Sequence, residues 1–155
     1  MFKEMRKSNR ELTESHGITI LEQGEYGILS TLGENGYCYG VPLSYVYHDN
    51  AIYFHGALEG NKVDNLLLNN KISFTVVGKT EVLPGSFSTK YESVIAFGKA
   101  IEIHEEEKIQ GLKELILKYS KDFLESGMEY IKRASDKTKV FKIEIDKISA
   151  KGRTN

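Results

Sequence analysis

Residues 26–57, YGILSTLGENGYCYGVPLSYVYHDNAIYFHGA, decide the fold class. Their first seven residues are β-compatible and apolar on both alternating faces, as in a strand covered on both sides. GENG at 33–36 follows, with glycine at each end of a turn. The next run, YGVPLSYVYH, sends Tyr39, Val41, Leu43, Tyr45 and Tyr47 to one face and Pro42 to the other. Proline cannot donate to a ladder, so this strand is expected at an edge or with a bulge at Pro42. Asp49-Asn50 makes a second hairpin turn before AIYFHGA. The expectation is a three-strand antiparallel meander.

Outward from this stretch the period changes. In GNKVDNLLLNN, Val63, Leu66 and Leu67 fall at helical spacing, with Asn61 as the expected N-cap. KISFTVVG at 71–78 reads as strand, and 79–90, with Pro84-Gly85 at its middle, as loop. Residues 91–104 are the longest strand candidate, with Ile95, Phe97, Ile101 and Ile103 on one side. Glu105 to Tyr119 is helical, with an apolar stripe of Ile109, Leu112, Leu115, Ile116 and Tyr119 and three glutamates at the positive end of its dipole. A short helix is expected over 122–133 and a last strand over 140–146, with Ile148 out of phase. Six strands at turn-sized spacing with two or three helices predict an antiparallel barrel rather than a doubly wound sheet.

The 155 residues suit one domain, 1–155, able to bury a core without disulfide or metal staples. Lys and Arg number 21 against 22 Asp and Glu, a net charge of −1, which argues against a general nucleic-acid binder. Cys38 is the sole cysteine, so an intramolecular disulfide and a cysteine-built zinc site are both excluded. The N-terminal stretch has no apolar signal region and the longest apolar runs fall far below the ~20 residues needed to span a bilayer. The expectation is a soluble cytoplasmic protein with no membrane partner.

No P-loop, GxGxxG, HExxH or GxSxG is present, and the four histidines lack metal-ligand spacing, so no metal is expected. What remains is a concentration of residues at strand ends. His55-Gly56-Ala57 closes a strand and Gly60-Asn61-Lys62 opens the following helix. Unpaired helix N–H groups beside a lysine offer a phosphate site, although a solvated lysine and turn glycines explain the same pattern. Asp64 in the same turn opposes an anion. Ser30, Thr31, Ser44, Ser73, Thr75 and Ser93 interrupt apolar strands, where a hydroxyl serves a ligand or simply a neighbour.

Compared with known families, the chain resembles the flavin-binding split-barrel proteins related to pyridoxamine 5′-phosphate oxidase, most closely the nitroimidazole-resistance (Nim-like) branch. The resemblance runs through MRKSNRELTE, YGILSTLGENGYCYGVPLSYVY, IYFHGALEGNKVDNLLLNNKISFTVVG, FSTKYESVIAFGKA and IEIDKISAKGR. It implies a mainly β fold with added helices, a six-stranded antiparallel split β-barrel. It also implies a homodimer with FMN at the subunit interface. Carried over, FHGALEGNK makes His55, Gly56, Ala57 and Lys62 flavin contacts, Lys62 near the phosphate and His55 near the reactive face as the catalytic candidate. YGVPLSY contributes Val41, Pro42, Leu43 and Ser44, with Thr31 and Ser93 completing the set. The C-terminal substrate motif of the pyridoxamine phosphate oxidases is not recognisable, so vitamin B6 synthesis is not implied, and Lys151 and Arg153, able to reach a phosphate, read rather as a frayed basic tail. The implied function is an FMN-dependent oxidoreductase reducing a small acceptor, a nitroaromatic such as a nitroimidazole among the candidates, with electrons from NADH or NADPH. The alternative is a non-catalytic flavin- or haem-binding protein or sensor on the same fold. Haem or a deazaflavin would then replace FMN.

Overall fold

A computed structural model describes residues 1–154. Its strands are β1 (Glu11–Leu12), β2 (Gly27–Leu32), β3 (Cys38–Leu43), β4 (Val46–His48), β5 (Ala51–Gly56), β6 (Lys71–Leu83), β7 (Ser88–Ile103) and β8 (Lys139–Arg153). The helices are α1 (Glu14–Gln23), α2 (Asn61–Leu68), α3 (Glu105–Tyr119) and α4 (Leu124–Ala134). All strand pairs are antiparallel, in one open sheet ordered β3-β2-β6-β7-β8-β5-β4, with β1 added to β8. This is the split-barrel architecture, with eight described strands where six were expected: the run 39–48 divides in two and the two-residue β1 is additional. Among the described residues no helix is long and apolar enough to cross a membrane.

The expected meander does not form. β2 pairs with β3 and β4 with β5, but β3 and β4 lie at opposite ends of the sheet. Ser44-Tyr45 between them carries the chain across, and Tyr45 drops its whole side chain into the core. Pro42 does sit on an edge strand, where its missing N–H costs no ladder bond. Asp49 and Asn50 both have positive φ (49° and 60°), the geometry of a tight hairpin turn.

The main core lies inside the curled sheet: Leu29, Tyr45, Ile52, Phe54, Phe74, Val76, Val94, Ala96 and Ile143, with Ile20 and Leu21 of α1. Thr13 caps α1 by accepting the His16 N–H at 3.2 Å. A smaller core, Val46, Ala51, Tyr53, Ile103, Leu115 and Val140, lies on the outside of β5 and β8 and is covered by α3. Burying each large side chain fully is worth about 1.5–3 kcal/mol.

One strand reading changes. Residues 79–90 are not a loop: β6 and β7 continue as paired strands from Thr80↔Tyr91 to Leu83↔Ser88, around a short turn at Pro84–Ser86. On β7 the interior residues are Val94, Ala96 and Ala100, while Ile95 and Phe97 take the opposite face. That face carries Ile103 as well, buried because α3 covers that end. Pairing shifts from Phe97↔Lys147 to Gly98↔Ile145, leaving Asp146 as one extra residue on β8. This bulge explains the phase of Ile148: inward positions are Phe141, Ile143 and Ile145 before it, Ile148 and Ala150 after it. Lys151 and Arg153 are not frayed; they belong to β8, opposite Ser93 and Tyr91.

Candidate functional site

The end of β5 gathers most of the chemistry. Ala51, Tyr53 and His55 face α3 and the outer core, whereas Ile52 and Phe54 face the interior, as the period of two requires. His55 lies opposite Val140 of β8, which in turn lies opposite Ile103 of β7. The chain then turns through Ala57 into α2, whose N-cap is Gly60 rather than Asn61. Gly60 has φ 134°, a conformation that favours glycine.

Lys62, in the first turn of α2, folds back over this strand end. A Cβ built on Gly56 would come within 2.6 Å of Lys62 Nζ, so glycine there leaves room for the ammonium. Nζ also lies 5.8 Å from the centre of the Phe54 ring. Phe54 is fully buried and stacked on Phe141 at 5.3 Å, so the lysine rests on a fixed apolar floor. Among the described residues no carboxylate pairs with Lys62. Asp64 instead lines a separate polar groove with Glu34, Asn35 and Cys38. Burial holds the Lys62 pKa below the ordinary lysine value. For His55, loss of hydration first and the Lys62 charge second hold the pKa below 6.5, which keeps the ring neutral at pH 7.

The other expected residues divide. Ser44 joins His55 in lining one cleft. Val41 and Leu43 pack inward against the main core, and Pro42, opposite Ile28, points outward. Thr31 is buried, and its hydroxyl accepts from Asn65 Nδ2 at 3.0 Å, so it anchors α2 to β2. Ser93 lies on the uncovered face of the central strands, between Val77 and Lys151. Ile28, Thr75 and Ile95 form the adjacent cross-strand row, and Val77 is 62% exposed. This open apolar face and the β5 end are separate places on one chain.

Sequence reasoning missed the fastening of the Ser44-Tyr45 crossover. The Tyr45 N–H donates to Tyr119 Oη at 3.0 Å, Tyr119 Oη donates to the Glu25 carbonyl at 2.6 Å, and Lys118 Nζ donates to the Tyr45 carbonyl at 2.9 Å. The Lys118 ammonium also sits 3.8 Å from the Tyr45 ring centre, and burial lowers its pKa to about 8. Tyr119 was visible only as a member of an apolar stripe; its hydroxyl partners lie far away in sequence.

A family model described as pyridoxamine 5′-phosphate oxidase matches residues 14–152. Among solved structures, the chain is similar to a protein from Bacteroides thetaiotaomicron described as a candidate 5-nitroimidazole antibiotic resistance protein (23% identity, 92% of this chain and 86% of that one, TM-score 0.75). It is similar to a conserved hypothetical protein from Mycobacterium tuberculosis (15%, 96% and 90%, TM-score 0.81). A third likeness is to an FAD and haem binding protein from Mycobacterium smegmatis (14%, 94% and 74%, TM-score 0.79). At these identities the structures speak for the fold. No curated protein sequence matches the chain significantly.

Proposed function

Because the chain belongs to the pyridoxamine 5′-phosphate oxidase family, we propose that it is an FMN-binding oxidoreductase that reduces a small acceptor. The observation that carries this reading is Lys62: a half-buried ammonium with no carboxylate partner among the described residues, held over Gly56 at the mouth of a helix. A partly desolvated, unpaired cation beside free helix N–H groups fits a phosphate monoester, the anionic end of FMN. Lys62 and the first turn of α2 would hold that phosphate, and His55, Gly56, Ala57 and Ser44 would approach the ring system. When bound, FMN supplies two-electron redox chemistry between a reduced nicotinamide and the acceptor. The His55 ring, neutral at rest, can take a proton from water at its lone pair and, as the imidazolium so formed, pass one to the reduced acceptor. A nitroaromatic such as a nitroimidazole is the first acceptor to try.

Protein incubated with FMN and desalted should retain flavin absorbance that bleaches anaerobically with NADH or NADPH. Absence of retained flavin overturns the reading, and a Soret band in the protein as purified replaces FMN with haem. Retained flavin that no acceptor reoxidises faster than free FMN places the chain among non-catalytic binders.

The same reading includes a homodimer. Val77, Ile95 and Ile28 with Ser93 and Pro42 pave an outward sheet face that no described helix covers, and a twofold partner would bury it while adding a second wall to each flavin site. Light scattering should give a mass near twice 17.5 kDa. A stable monomer that still binds FMN tightly removes the dimer from the proposal.

A further inference from the structure

A cleft of about 330 Å³ separates the α3–α4 pair from the end of β5 and the Ser44 crossover. Its walls are Leu112, Leu115, Ile116, Ile131, Ala134 and the rings of Tyr119 and Tyr130. Among the described residues no Asp, Glu, Lys or Arg lines it. The polar groups are Ser44, His55, Ser120, Ser135 and Thr138, of which Thr138 is already spent on the Ala134 carbonyl at 3.3 Å. The Tyr119 hydroxyl is likewise occupied outside the cleft, by Glu25 and Tyr45. Ser44 and His55 have no side-chain hydrogen-bond partner among the described residues, and both stand at the same end.

We infer that this cleft is the acceptor pocket and that it selects uncharged aromatic molecules of one or two rings, with Ser44 and His55 meeting their polar substituent. Size sets the first limit. A dry apolar cavity of about 150 Å³ already accepts benzene, and ligand pockets start near 300 Å³, so one ring with substituents or a fused pair fits and a dinucleotide does not. Charge sets the second. A carboxylate or phosphate that gives up part of its hydration against these walls gains no ion pair in return, because the described lining holds no fixed cation and His55 is held neutral. Lys62 does not line the cleft: it lies against Gly56 and Phe54, and its charge reaches the cleft only as the field that helps hold His55 neutral. Through Ser44 and His55 the inference rests on the proposed redox function, yet the cleft itself is a property of the chain without flavin.

Two probes with the same ring separate the possibilities: 4-nitrobenzyl alcohol, which is neutral, and 4-nitrobenzoate. Titrated into the protein with and without FMN, the alcohol should shift the NMR resonances of Leu112, Ile116 and Tyr130, and the benzoate should bind about tenfold or more weakly. Ala134→Phe should abolish alcohol binding while retained FMN absorbance stays at the wild-type level. Ala134→Lys, which places a cation in the wall, should reverse the preference. Equal affinity for the two probes overturns the selectivity. Alcohol binding that survives Ala134→Phe, in protein that remains folded, overturns the cleft as its site. If the alcohol binds in the cleft but FMN is never retained, the cleft stands and the flavin reading falls; retained FMN with no shift at cleft residues has the opposite meaning.

Discussion

Replacing Lys62 with alanine is expected to weaken FMN binding about 10- to 150-fold and to leave riboflavin binding nearly unchanged. The Lys62 ammonium has no carboxylate partner among the described residues and is half buried over Gly56 and the Phe54 ring, so its positive charge is available to a ligand. A charge-assisted hydrogen bond from it to a phosphate is worth about 1.5–3 kcal/mol, which at 1.4 kcal/mol per decade gives the range above. Riboflavin lacks the phosphate and therefore serves as the internal control, since damage to the fold would weaken both ligands alike. The measurement is a pair of fluorescence titrations on wild type and variant. Equal losses for the two ligands, or no loss for either, would place the phosphate elsewhere and leave Lys62 a surface cation.

Gly98→Ala should destabilise the protein by about 1–3 kcal/mol, a fall of roughly 2–12 °C in Tm. Gly98 sits where the extra residue Asp146 bends β8, and there the two strands come unusually close. A Cβ at Gly98 would overlap the Glu144 carbonyl oxygen and crowd the Ile143 side chain. The first obstacle is backbone, so no rotamer change relieves it; β7 and β8 must move apart locally at the bulge. Gly85→Ala is the control, because nothing lies within 4 Å of a Cβ there. Thermal unfolding of both variants decides the matter, and a Gly98→Ala melting curve that coincides with that of Gly85→Ala contradicts the close approach.

Local chemistry explains which parts of the fold could be read from the chain. β2, β5, α2 and α3 carry their period and their end signals within themselves, so Gly27–Leu32, Ala51–Gly56, Asn61–Leu68 and Glu105–Tyr119 match the sequence expectation closely. What lay beyond reach depended on distant partners. Nothing between Tyr39 and His48 says that two edges of one sheet need joining there, because the break is fixed by Tyr45 entering a core whose buried residues come from seven other elements. Polar residues and Pro84-Gly85 suggested a loop at 79–90, yet β6 and β7 supply each other with ladder bonds regardless of side chain. On β7 the period of two was legible, since Ile95, Phe97, Ile101 and Ile103 do share one face, but which face turns inward was not: small Val94, Ala96 and Ala100 fill the interior. At the site, Lys62, His55 and Gly56 were legible from their closeness in sequence. The walls of the α3–α4 cleft were not, since the stripe on α3 does not reveal that part of it faces an opening.

The place of β8 has a consequence for how the molecule assembles. The pairs β2–β3, β4–β5 and β6–β7 are neighbours along the chain and close over short loops. β8 instead lies between β7 and β5, and it also carries β1 through Glu11↔Lys151 and Leu12↔Ala150. Until it inserts, two halves of the sheet remain unjoined, and β5 and β7 each present a bare row of backbone donors and acceptors. Ordering so distant a strand is entropically slow, so its insertion is the step expected to limit the folding rate. During that interval the two open edges are where a second unfolded copy would pair in place of β8, making aggregation the competitor of folding.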